Sequence, residues 1–279
     1  MDNLIIASIQ INSSDCVNNN LQKIATFIKQ AKLLGAQLVT LPEYAFNIAS
    51  DNKELIRESA EILGNGSIQQ QISKLAIENN IFIVAGTIPI ISNKVIDKYY
   101  NSCIVFDNFG KIVTYYHKMH LFQYLDAHNT QNYNEHNIFL ADNKISTFTI
   151  GCFSFGLGIC YDLRFPELFR AYSGIDAIIL PAAFTYMTGL DHWDILIRAR
   201  AIENQCYFIS SAQTGMHGGS KRFYGHSMIV NPWGKIISII DEDEGIIVSK
   251  IEKSKILETR EKIPALSNKI IPQQIIASN

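Results

Sequence analysis

Apolar runs that end abruptly on a reactive side chain recur along this sequence, and they constrain the fold more than any bulk property does. Gln37-Leu-Val-Thr-Leu41 stops at Pro42 and is followed by Glu43; Ile112-Val-Thr-Tyr-Tyr116 is followed by His117 and Lys118; Phe153-Ser-Phe-Gly-Leu-Gly-Ile159 leads into Cys160. Short, nearly continuous apolar runs read as strands covered on both faces, so helices are expected to flank a layered pair of sheets. In open α/β sheets the ligand crevice lies just past the carboxyl ends of the strands. Glu43, Lys118 and Cys160 all fall at such ends.

Taken in order, Leu4 to Gln10 reads as a strand, and Ser13 to Asp15 as a helix start. Val17, Leu21, Ile24, Ile28 and Ala31 form the buried stripe of a helix that stops at Gly35. Polar helical sequence over 53–79 leads into Ile81 to Ile88, expected as one strand, and then into strands at 101–107 and 112–116. The second half repeats the alternation, with strands at 153–159, 177–180 and 207–212 and helices at 167–172 and 192–204. A hairpin over 228–237, a strand at 246–251 and a helix at 254–262 follow. That hairpin echoes Ile104 to Val113: aligned on Gly110 and Gly234, each reads Asp or Asn, a turn residue, an aromatic, then Gly-Lys-Ile. This is the chemistry of a bulged hairpin with glycine in the left-handed position. Two similar α/β halves are expected, each supplying a sheet. The chain divides into one domain over residues 1–255 and a C-terminal helix and tail over 256–279, the tail fraying or lying across a partner subunit.

With 279 residues and 47% hydrophobic content the chain can bury a substantial core. A net charge of -2 and scattered basic residues offer no footprint for nucleic acid or an anionic membrane surface. No apolar run approaches the roughly 20 residues needed to span a bilayer, and the first residues lack the pattern of a secretory signal. The five cysteines, at 16, 103, 152, 160 and 206, form no disulfide framework. A reducing cytoplasm is the expected compartment. Most free cysteines are buried small hydrophobes, and three of these five are expected to be so. Cys160 departs from that default by its place between a strand end and Pro166, which marks the first turn of a helix. Unpaired N–H groups of that turn are expected to favour a thiolate.

Taken singly, Glu43 reads as a surface carboxylate after a turn and Lys118 as an exposed loop lysine. Together with Cys160 they meet the needs of one chemistry. A free thiol has a pKa of roughly 8.5 and needs a base within reach, a role Glu43 can take. Attack on an amide carbonyl creates an oxyanion, which the Lys118 ammonium and the backbone N–H of Tyr161 can stabilise. The proton that Glu43 takes from sulfur can then be returned to the leaving nitrogen. Neither metal nor organic cofactor is required by this scheme.

The motifs TLPEYAF (40–46), HKMHLF (117–122), GICYDLRFPEL (158–168), PAAF (181–184) and GHSMIVNPWG (225–234) occur in an order that resembles the nitrilase superfamily, the carbon-nitrogen hydrolases, over nearly the whole chain. The resemblance implies a four-layer αββα sandwich, homodimers, and a Glu-Lys-Cys triad that maps onto Glu43, Lys118 and Cys160. It also implies a second, supporting glutamate, best matched by Glu135. The backbone around Tyr161 and Phe184 and the side chain of Thr188 would line the substrate pocket. The stretches 188–193 and 198–205 look most like the amidase branch, which includes deaminated glutathione amidase and ω-amidase. Arg-Ala-Arg-Ala-Ile-Glu at 198–203 leans toward the former. The implied activity is hydrolysis of a small carboxylate-bearing amide through a cysteine thioester, with deaminated glutathione as the substrate and 2-oxoglutaramate as the alternative. The segment Gln123 to Asn134 departs from the branch and borders the expected pocket.

Other readings compete. His117, His120, His128 and His136 cluster in sequence, yet zinc ligands must converge with support behind them, and these histidines are expected to pack or face solvent. Asp162, Arg164 and Glu167 are expected to hold the cysteine loop or a subunit contact through ion pairs. Lys221 or Arg222, after the glycine-rich stretch 217–220, is expected to meet a substrate carboxylate. A papain-like pairing would instead join Cys160 to His226, and a non-catalytic binding protein would lack an intact triad.

Overall fold

The computed structural model describes residues 2–48, 52–124, 133–217 and 221–270. The first half runs β1 (Asn3–Gln10), α1 (Val17–Leu33), β2 (Leu38–Thr40), α2 (Lys53–Ser59), α3 (Ser67–Asn79), β3 (Phe82–Val84), β4 (Ile88–Ile91), β5 (Tyr99–Phe106) and β6 (Ile112–His117). A short ribbon, β7 (Gln123–Tyr124) with β8 (Tyr133–Asn134), leads to the second half. There follow β9 (Thr147–Ile150), β10 (Phe153–Leu157), α4 (Pro166–Ala171), β11 (Ala177–Ala182), α5 (Tyr186–Asn204), β12 (Tyr207–Ala212), β13 (Thr214–His217), β14 (Lys221–Tyr224), β15 (Met228–Val230), β16 (Ile236–Ile239), β17 (Gly245–Glu252) and α6 (Lys253–Lys262).

Two mixed sheets result, ordered β17-β1-β2-β3-β5-β4, with β6 also on β5, and β16-β15-β12-β11-β10-β9. The parallel centres, β1-β2-β3 and β10-β11-β12, are the continuous apolar runs, as expected of strands covered on both faces. In β1 the period of two divides the side chains between layers: Ala7 and Ile9 pack with α1 and α3, while Leu4 and Ile6 join the core shared with the second sheet. Helices α4 and α5 cover the outer face of that second sheet through Leu168, Phe169, Trp193 and Ile197. The layers are therefore helix, sheet, sheet, helix, the αββα sandwich. Towards the carboxyl end of β1 the inter-sheet face turns polar. Ser8 Oγ lies 2.8 Å from Ser210 O and 2.7 Å from Ser211 Oγ, and Ser211 Oγ also bonds Thr40.

The two sequence-similar hairpins have the same geometry. Gly110 and Gly234 both adopt positive φ (77° and 81°) and donate to Asp107 O and Asn231 O, each at 2.9 Å. Each turn is capped by the Asp107 or Asn231 side chain, and each ladder carries a register shift just before it. A Cβ on Gly110 would meet Ser73 and Ile77 of α3; one on Gly234 would meet Ile202 of α5. Each sheet thus tucks a hairpin under its own helix. The two-halves expectation holds except for β17, which returns from the chain's end to pair with β1 from Asn3↔Glu252 to Gln10↔Gly245.

Three local expectations are corrected. Residues 81–88 are not one strand: the run breaks between β3 and β4, which both pair with β5. Helix α5 begins at Tyr186, six residues before the expected start, because its first turns look into a cavity and so lack an apolar stripe. Helix α1 starts at Val17 after Cys16 with no side-chain cap. Instead, Asn20 Oδ1 accepts from Ser14 N. At the other end α6 spans the boundary at 255 and 256 and buries Ile256 in the chain's own core, while Arg260 donates to Ile175 O at 2.6 Å. Residues 271–279 of the expected tail lie outside the described residues.

His117, at the end of β6, stacks on Tyr100 with ring centroids 4.2 Å apart, and its Nδ1 lies 2.7 Å from Ser102 Oγ. Burial pushes its pKa down from 6.5 to about 4. The stability it contributes is complete above pH 6.5 and is lost as pH falls towards 4, because over that window the unfolded chain binds a proton that the folded chain refuses. Urea-unfolding free energy should fall across this window, and His117→Gln should reduce that slope by up to about one proton. An unchanged slope in the variant rules out His117 as the source.

Candidate active site

The break between β3 and β4 makes room for the loop that carries Glu43. Gly86 there has φ +57°, and a Cβ on it would lie 2.0 Å from Pro42 O, so only glycine lets the two backbones approach this closely. Leu41 N donates to Val84 O at 3.0 Å, extending the pairing of β2 by one residue. Tyr44 then adopts φ 55° and donates its N–H to Thr87 Oγ1 at 2.9 Å. From the opposite sheet, Gln213 Nε2 donates to Glu43 O at 2.9 Å. A non-glycine residue in the left-handed region costs on the order of 1 kcal/mol, and here contacts from two layers hold it.

Lys118 follows β6 directly and its N–H bonds Asn101 O at 2.9 Å. Cys160, at φ 44°, opens a single 3₁₀ turn, Cys160–Arg164, at the end of the run that begins as β10. Asp162 is the knot of this turn. Its carboxylate accepts from Ile159 N (2.8 Å), Tyr116 Oη (2.8 Å), His120 N (3.0 Å) and His120 Nδ1 (2.7 Å). It therefore ties the cysteine turn to both sides of the Lys118 segment, and the expected loop-holding role of Asp162 is met by hydrogen bonds.

At the centre the Lys118 ammonium sits between two carboxylates. Nζ lies 2.8 Å from Glu43 Oε1, 3.0 Å from Glu135 Oε1 and 2.9 Å from Glu135 Oε2, with all three side chains at most 2% exposed. Glu43 Oε1 also accepts from Asn101 Nδ2 at 2.9 Å, and Oε2 from Ala183 N at 3.1 Å. Glu135 accepts from Tyr44 Oη at 2.8 Å and Phe122 N at 2.7 Å. The Glu43 carboxylate, the Lys118 ammonium and the Ala183 N–H are the polar groups that act on the Cys160 thiol. The structure thus brings together Glu43, Lys118, Cys160 and Glu135, side chains from four separate segments.

Burial raises Glu43 above the ordinary carboxylate range; Lys118 pulls it back and Glu135 pushes it further up. For Lys118 burial disfavours the ammonium, but Glu135 and Glu43 outweigh burial and hold it protonated. Burial and then Glu43 push the Cys160 thiol well up, against the pull of Lys118. The expectation of a thiolate favoured by the following turn is corrected: in the free protein the proton stays on sulfur until a base takes it. Cys103 and Cys206 are buried and burial pushes both thiols up, Cys206 to about 12; Cys103 has burial as the whole cause, while Arg260, Asp176 and Glu203 also act on Cys206. These two, not three, fit the buried default, since Cys16 and Cys152 are exposed.

Above the thiol opens a cavity of about 670 Å³. Tyr161, Phe184 and Thr188 line it, Thr188 Oγ1 lying 2.6 Å from Thr185 Oγ1. Lys221 and Arg222, on β14, line it too. The Arg222 guanidinium is held by Glu242, Nη2 to Oε2 at 2.5 Å, and stacks 3.7 Å over Tyr186, while Lys221 Nζ lies 5.0 Å over the Tyr133 ring. Arg164 also faces the cavity, 5.2 Å over Phe184 and 3.3 Å from His192 Nδ1, and pairs with no carboxylate among the described residues. Its expected structural ion pair is therefore absent there. Tyr44 and Asn101 were not singled out from the sequence, though an asparagine inside Tyr99-Tyr-Asn-Ser-Cys-Ile-Val-Phe106 is a detectable anomaly.

The histidines do not converge. His117 bonds Ser102, His120 bonds Asp162 and stacks on Phe165, His136 is exposed, and His128 lies outside the described residues. Among the described residues no group of three His, Cys, Asp or Glu is arranged to hold a metal. His226, the papain-like candidate, stacks on Tyr224, bonds Tyr224 O and does not line the cavity. No helix among the described residues is long and apolar enough to cross a membrane.

This layering, with a cysteine, a lysine and two glutamates at one sheet edge, makes up the candidate site, and comparison with known proteins gives the family of the chain. The carbon-nitrogen hydrolase family model matches residues 5–261, and the chain belongs to that family. It is 36% identical over 272 residues to the deaminated glutathione amidase of Yersinia enterocolitica, covering 96% of this chain and 93% of that one. It is 34% identical over 271 residues to the omega-amidase NIT2 of Homo sapiens, covering 96% of each. The crystal structure of Saccharomyces cerevisiae Nit3, a member of branch 10 of the nitrilase superfamily, superposes with a TM-score of 0.85 at 33% identity, covering 96% of both chains.

Replacing Lys118 with methionine leaves Glu43 and Glu135 buried without their counter-charge, which should cost roughly 3–5 kcal/mol of unfolding free energy. The double variant Lys118→Met, Glu135→Gln should recover part of this loss. Equal stability of the single variant and the parent in urea titration contradicts the buried-pair description.

Proposed function

We propose that the protein is an amidase in which Cys160 is the nucleophile, Glu43 the general base and acid, Lys118 the oxyanion partner and Glu135 the carboxylate that keeps Lys118 charged and in place. The observation that carries this reading is the shared environment of Glu43: ammonium on one oxygen, and the thiol and Ala183 N–H beside the carboxylate. Glu43 takes the Sγ proton as sulfur attacks the amide carbon. The oxyanion meets the Lys118 ammonium and the N–H of Tyr161. As the tetrahedral adduct collapses, Glu43 delivers the proton to nitrogen and the C–N bond breaks, leaving a thioester. Water, deprotonated by Glu43, then attacks the thioester carbon and frees the acid and the thiol.

For the substrate we infer deaminated glutathione, with 2-oxoglutaramate as the second reading. The relatives divide between these two activities by name. Two features favour the larger molecule. The cavity, about 670 Å³, lies well inside the roughly 300–1,000 Å³ range of small-molecule sites and has room for a peptide-sized leaving group. Its wall also carries three cations, Arg164, Lys221 and Arg222, suited to a substrate with a carboxylate at each end. Arg222 is already held by Glu242, whereas Arg164 faces the cavity beside Phe184 and His192, so Arg164 is assigned one of the carboxylates. Pairing of two copies belongs to the same reading. Met187, Leu190, Ile195 and Ile202 on α5 present apolar side chains outward, and light scattering should return the mass of a dimer rather than a monomer.

The test is 2-oxoglutarate formation from both amides. Deaminated glutathione should give a kcat/KM at least about tenfold above that of 2-oxoglutaramate, and Cys160→Ala and Glu43→Gln should each lower kcat by 10²-fold or more, an order-of-magnitude figure for loss of nucleophile or base. Arg164→Gln should raise KM with little change in kcat. The reverse preference assigns the ω-amidase activity; failure with both compounds overturns the substrate reading, and full activity of Cys160→Ala overturns the mechanism.

A further inference from the structure

We propose that Asn101 and Tyr44 are positioning residues that give the two oxygens of Glu43 different work, so that only Oε2 carries the proton. The proposal deepens the reading of Glu43 as general base and acid and rests on it. Its basis is a closed circuit of hydrogen bonds among buried side chains. Lys118 Nζ donates to Glu43 Oε1 (2.8 Å), Asn101 Nδ2 donates to the same oxygen (2.9 Å) and approaches Tyr44 Oη (3.4 Å), Tyr44 Oη donates to Glu135 Oε1 (2.8 Å), and Lys118 Nζ closes the circuit on Glu135 Oε1 (3.0 Å). All five groups are buried.

The circuit makes the oxygens of Glu43 unequal. Oε1 faces two groups that only donate there, an ammonium and an amide NH2. A proton on Oε1 would point at other donors and lose both bonds. Oε2 meets one backbone N–H, from Ala183, and has a lone pair to spare; the Cys160 thiol interacts with both this carboxylate and the Ala183 N–H, and we assign its approach to Oε2. When Sγ–H breaks, the new O–H bond can form only on Oε2, and it breaks there again as the leaving nitrogen gains its N–H. Lys118 and Asn101 keep their bonds to Oε1 through both states, so the carboxylate need not rotate between taking and returning the proton. Tyr44 acts one step away. Burial and the neighbouring carboxylates push its phenol well up, so it remains a donor to Glu135 and holds that carboxylate against Lys118.

Asparagine is required at position 101 because its amide supplies hydrogen without charge. Asn101→Asp keeps the size, replaces the donor by an acceptor and adds a like charge next to Glu43. The experiment measures the rate of Cys160 alkylation by iodoacetamide against pH, read by mass spectrometry, a probe independent of which amide is hydrolysed. In the parent the rate rises with ionisation of Glu43. In Asn101→Asp that acid limb should move up by about one pH unit or more, and in Asn101→Ala it should move in the same direction by less. Tyr44→Phe should lower kcat about tenfold, the loss of one buried hydrogen bond to a charged group, and leave KM unchanged. Should Asn101→Asp fail to fold, as judged by circular dichroism, Asn101→Ala decides the point.

An acid limb at the parent's pH in the folded Asn101 variants overturns the proposal, as does parent kcat in Tyr44→Phe. Glu43→Gln separates this from failure of the underlying reading. If that variant loses the limb while the Asn101 variants keep it, the positioning role alone is wrong; if it retains the parent profile, Glu43 is not the base and both fall.

Discussion

One ammonium between two carboxylates, sealed from solvent, is the interaction on which the rest of this structure turns. Burying an ion costs several kcal/mol even after the protein relaxes around it, and here three ions are buried within contact of each other. What makes the cluster tolerable is saturation: every oxygen of Glu43 and Glu135 accepts at least one N–H or O–H from a fixed group. Those donors come from β5, from the segment after β6, from the residue after β11 and from the Glu43 loop itself, so no part of the site reaches its geometry until both sheets are in place.

That dependence explains why the layer between the sheets is not uniformly apolar. Hydrophobic burial is non-directional, and two greasy faces can slide over each other at little cost. The Thr40, Ser211 and Ser8 hydroxyls, with Gln10 on Ser227 and Gln213 on Ser13 and Glu43, replace that freedom with directional bonds near the site. The register they set matters because Glu43 follows a strand of one sheet while Ala183 and Cys160 follow strands of the other. An apolar end around Leu4, Ile6 and Phe155 supplies the driving force, and the polar end supplies the alignment.

Much of this was legible along the chain. Buried strands announce themselves by short apolar runs, and the residue after each run is placed at the sheet edge by topology, which is why Glu43, Lys118 and Cys160 could be picked out together. The Asp/Asn-x-aromatic-Gly-Lys-Ile turns were legible because turn chemistry is local. Other features left weaker marks. The break at Gly86 looks like a strand, since its cause, Pro42 O, is distant in sequence. The first turns of α5 carry the residues of a cavity wall, and a helix facing a cavity shows no stripe. Arg222 looked free until Glu242, twenty residues on, was seen to hold it. The thiol's raised pKa could not be read at all, because burial and the Glu43 charge act through space.

The sequence by itself determined which residues carry reactive groups, which runs become strands and which family the chain resembles, for these depend on side-chain identity and on periodicities only a few residues long. Tertiary structure alone decided that Asn101 and Tyr44 complete the charge circuit, that Asp162 binds the cysteine turn to the lysine segment, and that burial and the Glu43 carboxylate hold the proton on sulfur. Hydrogen bonds and buried charges are set by distances of a few ångströms between residues tens of positions apart, and such distances exist only once the two sheets have closed on each other.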